Sequence, residues 1–360
     1  MRRSSVPPSP ARFSRATGAA VLACAFSTLA LAACGDRAHV DARLSLVAAR
    51  PATLDEVTRW RGEVTLEENR EVITVFPQVS VTSAGDYLVA DGREAQIRVY
   101  AGDGRLRRWF GARGSGPEEF TRPAAALPGD GGTVWVVDFS GKYAVFGPIG
   151  KGAVQTGRVP VGAIYTAKPM DDGQMLVVGR SGPGEPYLHL WDPRQRRITR
   201  SFFVPPVRRG FEEEAVVAGV MDASVRGDSI AALFALTDSI FLFTRDGRRT
   251  GAIPLRSRHL RPLATKLSAA GREGFVRWGA TFSMLSRVFW LPGGSFLVQY
   301  WDTADGDQRF TLMHVARDGE PLFEIQGTPR LIAVAPDGET LVFADSRTDE
   351  PNQWRLAALR

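Results

Sequence analysis

Cysteine is almost absent from this chain. It occurs twice in 360 residues, at Cys24 and Cys34, so nothing after residue 34 can form a disulfide, a thiolate metal site or a cysteine nucleophile. A folded region without disulfides must be held together by its hydrophobic core. Hydrophobic residues make up 44% of the sequence, and roughly 300 residues are enough to bury a sizeable core.

Histidine and asparagine are also scarce. The four histidines and two asparagines are His39, His189, His259, His314, Asn69 and Asn352. A zinc site needs several converging histidines, and a calcium site needs carboxylate and amide oxygens at one place. The sequence also contains no Gly-x-Ser-x-Gly elbow and no glycine-rich phosphate loop. It therefore predicts no metal and no cofactor.

The positive charge of the chain is concentrated at its N-terminus. The formal net charge is +6, but four arginines and no acidic residues lie in residues 1–33. The rest of the chain is nearly neutral, with 41 basic and 39 acidic residues. Because a nucleic-acid-binding domain usually carries a strongly basic face, we expect no nucleic-acid partner.

The N-terminal residues have the features of an export signal. Arginines precede an uncharged stretch, residues 18–33, which is shorter than the ~20 residues of a membrane span and ends in small side chains. The sequence Leu31-Ala32-Ala33-Cys34 resembles the lipobox of bacterial lipoproteins. This resemblance implies cleavage before Cys34 and a lipid on its thiol, which would anchor the protein to a membrane.

The lipobox resemblance also implies a location and a set of boundaries. Gly35, rather than the aspartate that retains enterobacterial lipoproteins in the inner membrane, follows Cys34. The bacterial cell envelope is therefore the expected location, with the outer membrane favoured over the inner. We predict a signal peptide over residues 1–33, a lipidated cysteine and tether over 34–58, and one folded domain over 59–360.

Six times the chain repeats an apolar strand, a tight glycine turn and a second apolar strand. The turn glycines are Gly85, Gly131, Gly173, Gly227, Gly293 and Gly338, and the strands after them cover 87–90, 134–137, 175–178, 230–233, 296–299 and 341–344. Further Asp-Gly turns recur within the repeats, as hairpins require. This pattern predicts an all-β fold, a six-bladed β-propeller.

The ends of the repeats suggest how the ring is closed and where it is interrupted. The last repeat reaches a third strand over 354–359 and the chain stops, so we predict that an N-terminal strand within 63–75 completes the final blade. Long spacings place insertions at 205–218 and 256–280, and the second has a helical pattern over 260–278. The first carries an acidic run and the second is basic, so they could pair or cover one face.

Residues 110–123 resemble the linker between blades of NHL-repeat propellers. The matching positions are Gly114, Gly116, Pro117, Phe120 and Pro123. Over residues 76–360 the chain looks similar to six-bladed propeller lipoproteins of bacterial envelopes. In this interpretation Phe120 is a wedge between two blades.

The candidate ligand-binding residues lie on the innermost strands. Asp222 is the one acidic residue clearly inside such a strand, and Arg122, Arg287 and Arg330 lie at or near the start of others. Arginines at one mouth could hold a carboxylate or phosphate. The alternative is salt bridging to the acidic runs 118–119 and 212–214. Three further acids end second strands, where turn carboxylates accept backbone N–H bonds: Asp91, Asp138 and Asp345.

These features predict a lipid-anchored propeller that acts as a binding scaffold for a protein, peptide or glycan. The alternative is a divalent-metal-dependent hydrolase or lyase, similar to the lactonases of this fold, with its site in the central tunnel. A purely structural envelope component is a third interpretation. Fold alone does not decide between them, because propellers host many functions.

Overall fold

The structure is a computed structural model that describes residues 52–67, 78–148, 152–182, 184–206, 221–261, 283–304, 307–344 and 352–360. These residues form six four-stranded antiparallel sheets and one two-stranded parallel sheet. The six-bladed β-propeller expected from the repeats is confirmed. Most of the helix predicted over 260–278 and most of the insertion 205–218 lie outside the described residues.

The strands follow one another blade by blade. After helix α1 (Leu54–Val57) and β1 (Thr58–Thr65), the first blade contains β2 (Gln78–Val81), β3 (Tyr87–Asp91), β4 (Gln96–Tyr100) and β5 (Leu106–Phe110). The parallel pair β6 (Ala112–Arg113) and β7 (Glu119–Phe120) leads to the second blade, with β8 (Pro123–Pro128), β9 (Val134–Asp138), β10 (Lys142–Phe146) and β11 (Ala153–Arg158).

The third blade contains β12 (Ala163–Pro169), β13 (Met175–Arg180), β14 (Leu188–Asp192) and β15 (Arg197–Phe202), and the fourth β16 (Met221–Arg226), β17 (Ser229–Phe234), β18 (Ser239–Thr244) and β19 (Arg249–Pro254). The fifth contains β20 (Met284–Trp290), β21 (Phe296–Ala304), β22 (Asp307–Val315) and β23 (Pro321–Thr328). The sixth contains β24 (Arg330–Val334), β25 (Thr340–Ala344) and β26 (Gln353–Leu359), with β1 as its fourth strand.

The N-terminal strand closes the ring, as predicted, but it lies earlier than expected. β1 pairs antiparallel with β26, from Thr58 opposite Leu359 to Thr65 opposite Gln353. The chain then leaves the last blade and reaches the first, where the Glu67 amide donates to the Gly104 carbonyl at 2.8 Å. The strand therefore overlaps the predicted segment 63–75 only over residues 63–65.

Residues assigned to the tether by sequence also contact the last blade. The side chains of Leu54 and Val57 pack, together with Trp60 from the predicted folded domain, against an apolar cluster that contains Phe343. The Trp60 indole N–H donates to the Asp55 carboxylate at 2.6 Å, which ties helix α1 to β1. Within the described ranges, no helix is long and apolar enough to cross a membrane.

The hydrophobic core is divided into six clusters, and each lies between two successive blades. The second strand of a blade is buried on both faces, which is why these strands are apolar without alternation; all five residues of β3 are buried. Phe120 is fully buried in the cluster between the first and second blades, together with Phe146. Its predicted role as a wedge between blades is confirmed.

Two turn glycines allow the closure contact to be tested. Gly104 has φ +91°, and a Cβ there would lie 2.1 Å from the Thr65 carbonyl oxygen of the closing strand. Gly85 has a similar φ of +84°, but a Cβ there would meet nothing within 4 Å. Both positions favour glycine for its backbone conformation, and only Gly104 also contacts β1.

We expect Gly104→Ala to destabilise the domain more than Gly85→Ala. The second variant measures the left-handed backbone alone, about 1 kcal/mol, whereas Gly104→Ala adds an overpacking cost of about 1–3 kcal/mol against β1. Chemical denaturation of both variants gives the difference. Equal losses would show that the closing strand does not restrict this turn.

Candidate functional site

The innermost strands of the six blades are β2, β8, β12, β16, β20 and β24. All six begin at the same edge of the ring, because each blade is antiparallel and repeats the same connections; we name this edge the front rim and the opposite one the back rim. Successive innermost strands contact each other around the axis, as β16 contacts β20 and β2 contacts β24. Side chains on different blades can therefore meet at the centre.

Asp222 on β16 is one of those central side chains. It is 1% exposed, and its Oδ1 lies 3.0 Å from Nζ of Lys168 on β12. Its Oδ2 accepts a hydrogen bond of 3.2 Å from the amide of Val288 on β20. One carboxylate thus connects three blades and balances the charge of the half-buried Lys168.

The side chain of Arg287 on β20 reaches β2, which is two blades further round the ring. It is 5% exposed, and its Nη1 donates to Oε1 of Gln78 on β2 at 2.6 Å. Its Nη2 is buried and has no hydrogen-bond partner among the described residues. Gln299, opposite Arg287 in the β20–β21 register, is fully buried, and within the same ranges neither amide atom of its side chain has a partner.

Arg330, the first residue of β24, adds a third cation. It is 7% exposed, and its guanidinium lies 5.8 Å from the ring centroid of Phe310. Burial, and secondly the charge of Arg287, lowers the pKa of Arg330 well below its ordinary value. Burial also lowers the pKa of Arg287, against the opposing effect of the Asp222 carboxylate.

We name Gln78, Lys168, Asp222, Arg287 and Arg330 the channel cluster. It contains three cationic side chains and one carboxylate, and is supplied by five different blades. Burial is the main cause of both lowered arginine pKa values, and the charge of Arg287 contributes only to that of Arg330.

Arg122 does not join the channel cluster. It is exposed at the front rim, and its guanidinium lies 3.9 Å from the ring centroid of Phe139. The Asp138 carboxylate accepts bonds from the amides of Thr121 and Arg122 and so fixes this segment. The structure therefore brings Asp222, Arg287 and Arg330 together, and places Arg122 at the rim above them.

Glu118 and Glu119 were the acidic residues proposed as alternative salt-bridge partners for the arginines. In the structure both accept hydrogen bonds from backbone amides. Glu118 accepts a hydrogen bond from the Ala153 amide at 2.7 Å, and Glu119 accepts one from the Gly116 amide at 2.8 Å. The acidic run 212–214 lies outside the described residues.

The turn-carboxylate interpretation holds for two of the three aspartates. Asp91 accepts the amides of Arg93 and Glu94 and also forms a buried salt bridge of 2.8 Å with Arg98. Asp138 accepts backbone N–H bonds as described above. Asp345 lies outside the described residues.

The histidines that the structure describes in the blades are held by local contacts. His189 on β14 lies 2.8 Å from the Ser201 hydroxyl and 3.2 Å from the Gly179 carbonyl, and His314 on β22 lies 2.8 Å from the Ser295 hydroxyl. Within the described ranges, no three His, Cys, Asp or Glu side chains are grouped so that they could hold a metal ion.

Three members of the site were missed from the sequence. Lys168 precedes the proline that ends its strand, Gln78 begins a strand that is only four residues long, and Gln299 lies on a second strand within an apolar run. A lysine inside an apolar innermost strand was the one signal that could have been used. The glutamines carry no pattern that separates them from ordinary surface residues.

Comparisons with known proteins support the fold. No family model and no curated protein matches the chain. A solved structure of a DUF4221 family member from Bacteroides vulgatus is similar at a TM-score of 0.63 with 12% identity, covering 84% of this chain and 97% of that one. A protein from Bacteroides fragilis, predicted to be exported, is similar at a TM-score of 0.59 with 12% identity, covering 86% and 96%. At this identity the likeness shows the propeller fold alone.

We expect Asp222→Asn to destabilise the domain by about 3 kcal/mol, because it leaves buried cations without their carboxylate. Combining it with Lys168→Met should recover at least about 1 kcal/mol, since the methionine removes one of the uncompensated charges. Denaturation of both single variants and the double variant gives the coupling energy. Additive losses would show that Lys168 and Asp222 do not stabilise each other.

Proposed function

We propose that this protein is a lipid-anchored propeller of the bacterial cell envelope that acts as a binding scaffold. The observation that supports it is the channel cluster, where Nη2 of the buried Arg287 has no hydrogen-bond partner among the described residues and where Arg122 is exposed at the front rim above it. Such a centre recognises a charged group of a protein, peptide or glycan. We also propose that residues 110–123 are a linker of the NHL-repeat type, in which Phe120 is buried between two blades.

The proposed membrane anchor is a lipid on Cys34. The lipobox-like sequence 31–34 and the preceding apolar stretch support export and acylation, and Gly35 favours the outer membrane. The closing strand β1 lies C-terminal to Cys34 in the chain, so the lipid would be attached upstream of the strand that closes the ring.

The acylation site is tested by metabolic labelling with palmitate in a bacterial host. Cys34→Ser should abolish the label and release the protein from the membrane fraction, because the thiol is the acceptor of the lipid. Cys24→Ser is the matched control, since Cys24 lies inside the predicted signal and should leave labelling unchanged. Palmitate on the Cys34→Ser protein would contradict the lipoprotein assignment.

The scaffold role is tested by photo-crosslinking in intact cells. A photoreactive residue at the exposed position of Arg122 on the front rim should capture a discrete envelope component. The same residue at Asp318, which is exposed in a turn at the back rim, should not capture it. Identical products at both positions, or none at position 122, would contradict binding at the front rim.

A further inference from the structure

Four arginines lie on the part of the front rim where the first three blades follow one another. One belongs to the linker after the first blade, two lie next to the first strand and at the end of the last strand of the second blade, and one ends the second strand of the third blade. We name them the rim arginines: Arg113, Arg122, Arg158 and Arg180. Three of them are exposed, and Arg180 is half-buried. The fold therefore presents several guanidinium groups on one part of the front rim.

Two of the rim arginines are fixed beside the turn between β9 and β10. The Phe139 amide donates to the Arg122 carbonyl at 2.9 Å, and the Arg122 guanidinium lies 3.9 Å from the ring centroid of Phe139. Nη2 of Arg158 donates to the carbonyl of the next residue, Ser140, at 2.7 Å. One turn of the second blade thus positions both guanidinium groups.

The same turn connects these arginines to the third blade. The ring of Tyr165 on β12 packs edge-on against Phe139, with 5.7 Å between the centroids. Arg180 forms a hydrogen bond with the Tyr165 side chain. Burial raises the pKa of Tyr165, and the charges of Arg180 and Arg122 oppose that rise. Both guanidinium groups therefore act on the same phenol.

The groups that hold the rim arginines are neutral. Arg113, like Arg158, donates to a backbone carbonyl, that of Thr121 at 3.3 Å. Within the described ranges, no salt bridge includes any of the four rim arginines. A guanidinium group has five N–H donors, so each keeps donors for another molecule.

The carboxylates described in this part of the rim bind backbone amides. Asp138 is fully buried and accepts the Arg122 amide at 2.7 Å. Glu118 and Glu119 accept the amides named above, and Glu94 lies 3.9 Å from the guanidinium of its neighbour in the chain. These acids therefore occupy other donors than the guanidinium groups of the rim arginines.

The composition of this surface favours a protein as its ligand. Guanidinium groups bind carboxylates through charge-assisted and often bidentate hydrogen bonds. Arginine and aromatic side chains are enriched at protein–protein interfaces, where lysine is depleted, and the half-buried Phe139 and Tyr165 lie among the rim arginines. Because neutral groups already fix the guanidinium positions, less side-chain entropy is lost on binding.

We propose that the rim arginines bind an acidic segment of a partner protein, in which several carboxylates follow one another along the chain. The guanidinium groups are held at separate carbonyls and rings, so a chain of carboxylates contacts several of them at once. This inference rests on the proposed scaffold function and names the chemistry of its partner.

The test is fluorescence anisotropy of a labelled oligoglutamate peptide with the full chain in detergent at low ionic strength. We expect saturable binding that weakens as salt is added, because salt screens exposed charges. An oligoglutamine peptide of the same length should not bind. Absence of saturable oligoglutamate binding to the wild-type protein overturns the proposal.

Glutamine variants locate the binding surface. Replacing all four rim arginines by glutamine should weaken oligoglutamate binding at least about tenfold, since each exposed ion pair contributes about two- to fivefold. Arg122→Gln and Arg158→Gln alone should each weaken it about two- to fivefold. These single changes are at exposed positions and keep the test decisive if the fourfold variant does not fold. Unchanged affinity in both single variants overturns the proposal.

The matched control removes the same charge from the back rim. It replaces by glutamine four exposed arginines that lie in turns between third and fourth strands: Arg105, Arg194, Arg248 and Arg317. This variant should bind oligoglutamate like the wild-type protein. A loss equal to that of the rim variant would show that only the total charge matters, and overturns the proposal.

Two further outcomes separate this inference from its alternatives. If heparin binds through the rim arginines and oligoglutamate does not, the surface recognises a sulfated glycan and the proposal is overturned. Oligoglutamate binding that fails while crosslinking at position 122 persists overturns this inference alone. Oligoglutamate binding through the rim arginines without crosslinking in cells overturns the scaffold role instead.

Discussion

The pairing of β1 with β26 is the constraint on which the ring depends. Each blade buries its apolar side chains against the next, so no blade has a complete core of its own. The cluster between the last and first blades contains Val64 of β1 together with Trp354 and Tyr87. Without the closing strand that cluster would be open and the sixth sheet would have a free edge. Closure therefore fixes the spacing of all six innermost strands around the axis.

The same packing explains why the centre of the ring is polar. The apolar clusters occupy the wedges between blades, where both faces of each sheet are covered. The channel cluster lies instead where β2, β12, β16, β20 and β24 approach the axis, and its side chains are held by salt bridges and hydrogen bonds across blades. Burial lowers the pKa of both Arg287 and Arg330, and the charge of Arg287 lowers the pKa of Arg330 further.

Asp138 and Asp222 show how position changes the role of one residue type. Both are buried, but Asp138 accepts four hydrogen bonds, from the Thr121 amide and hydroxyl and the amides of Arg122 and Ser140. Its charge is satisfied by neutral donors and it organises a linker. Asp222 accepts one amide and faces cations from other blades. It is therefore part of the charge balance of the channel rather than of a turn.

From sequence alone the architecture followed, because local patterns determine it: short apolar strands, glycine turns and a last repeat that lacks a strand. The wedge role of Phe120 and the turn role of Asp91 and Asp138 also depend on nearby residues, and these predictions were right. An N-terminal strand does close the ring, but it covers Thr58–Thr65 rather than lying within 63–75. Its pairing with β26 begins with Thr58 opposite Leu359. The candidate site was recovered only in part. Lys168, Gln78 and Gln299 were missed and Arg122 proved peripheral, since the contacts among them cross blades that are far apart in the chain. Which side chains meet at the axis is decided by the closed ring, and no local pattern carries that information.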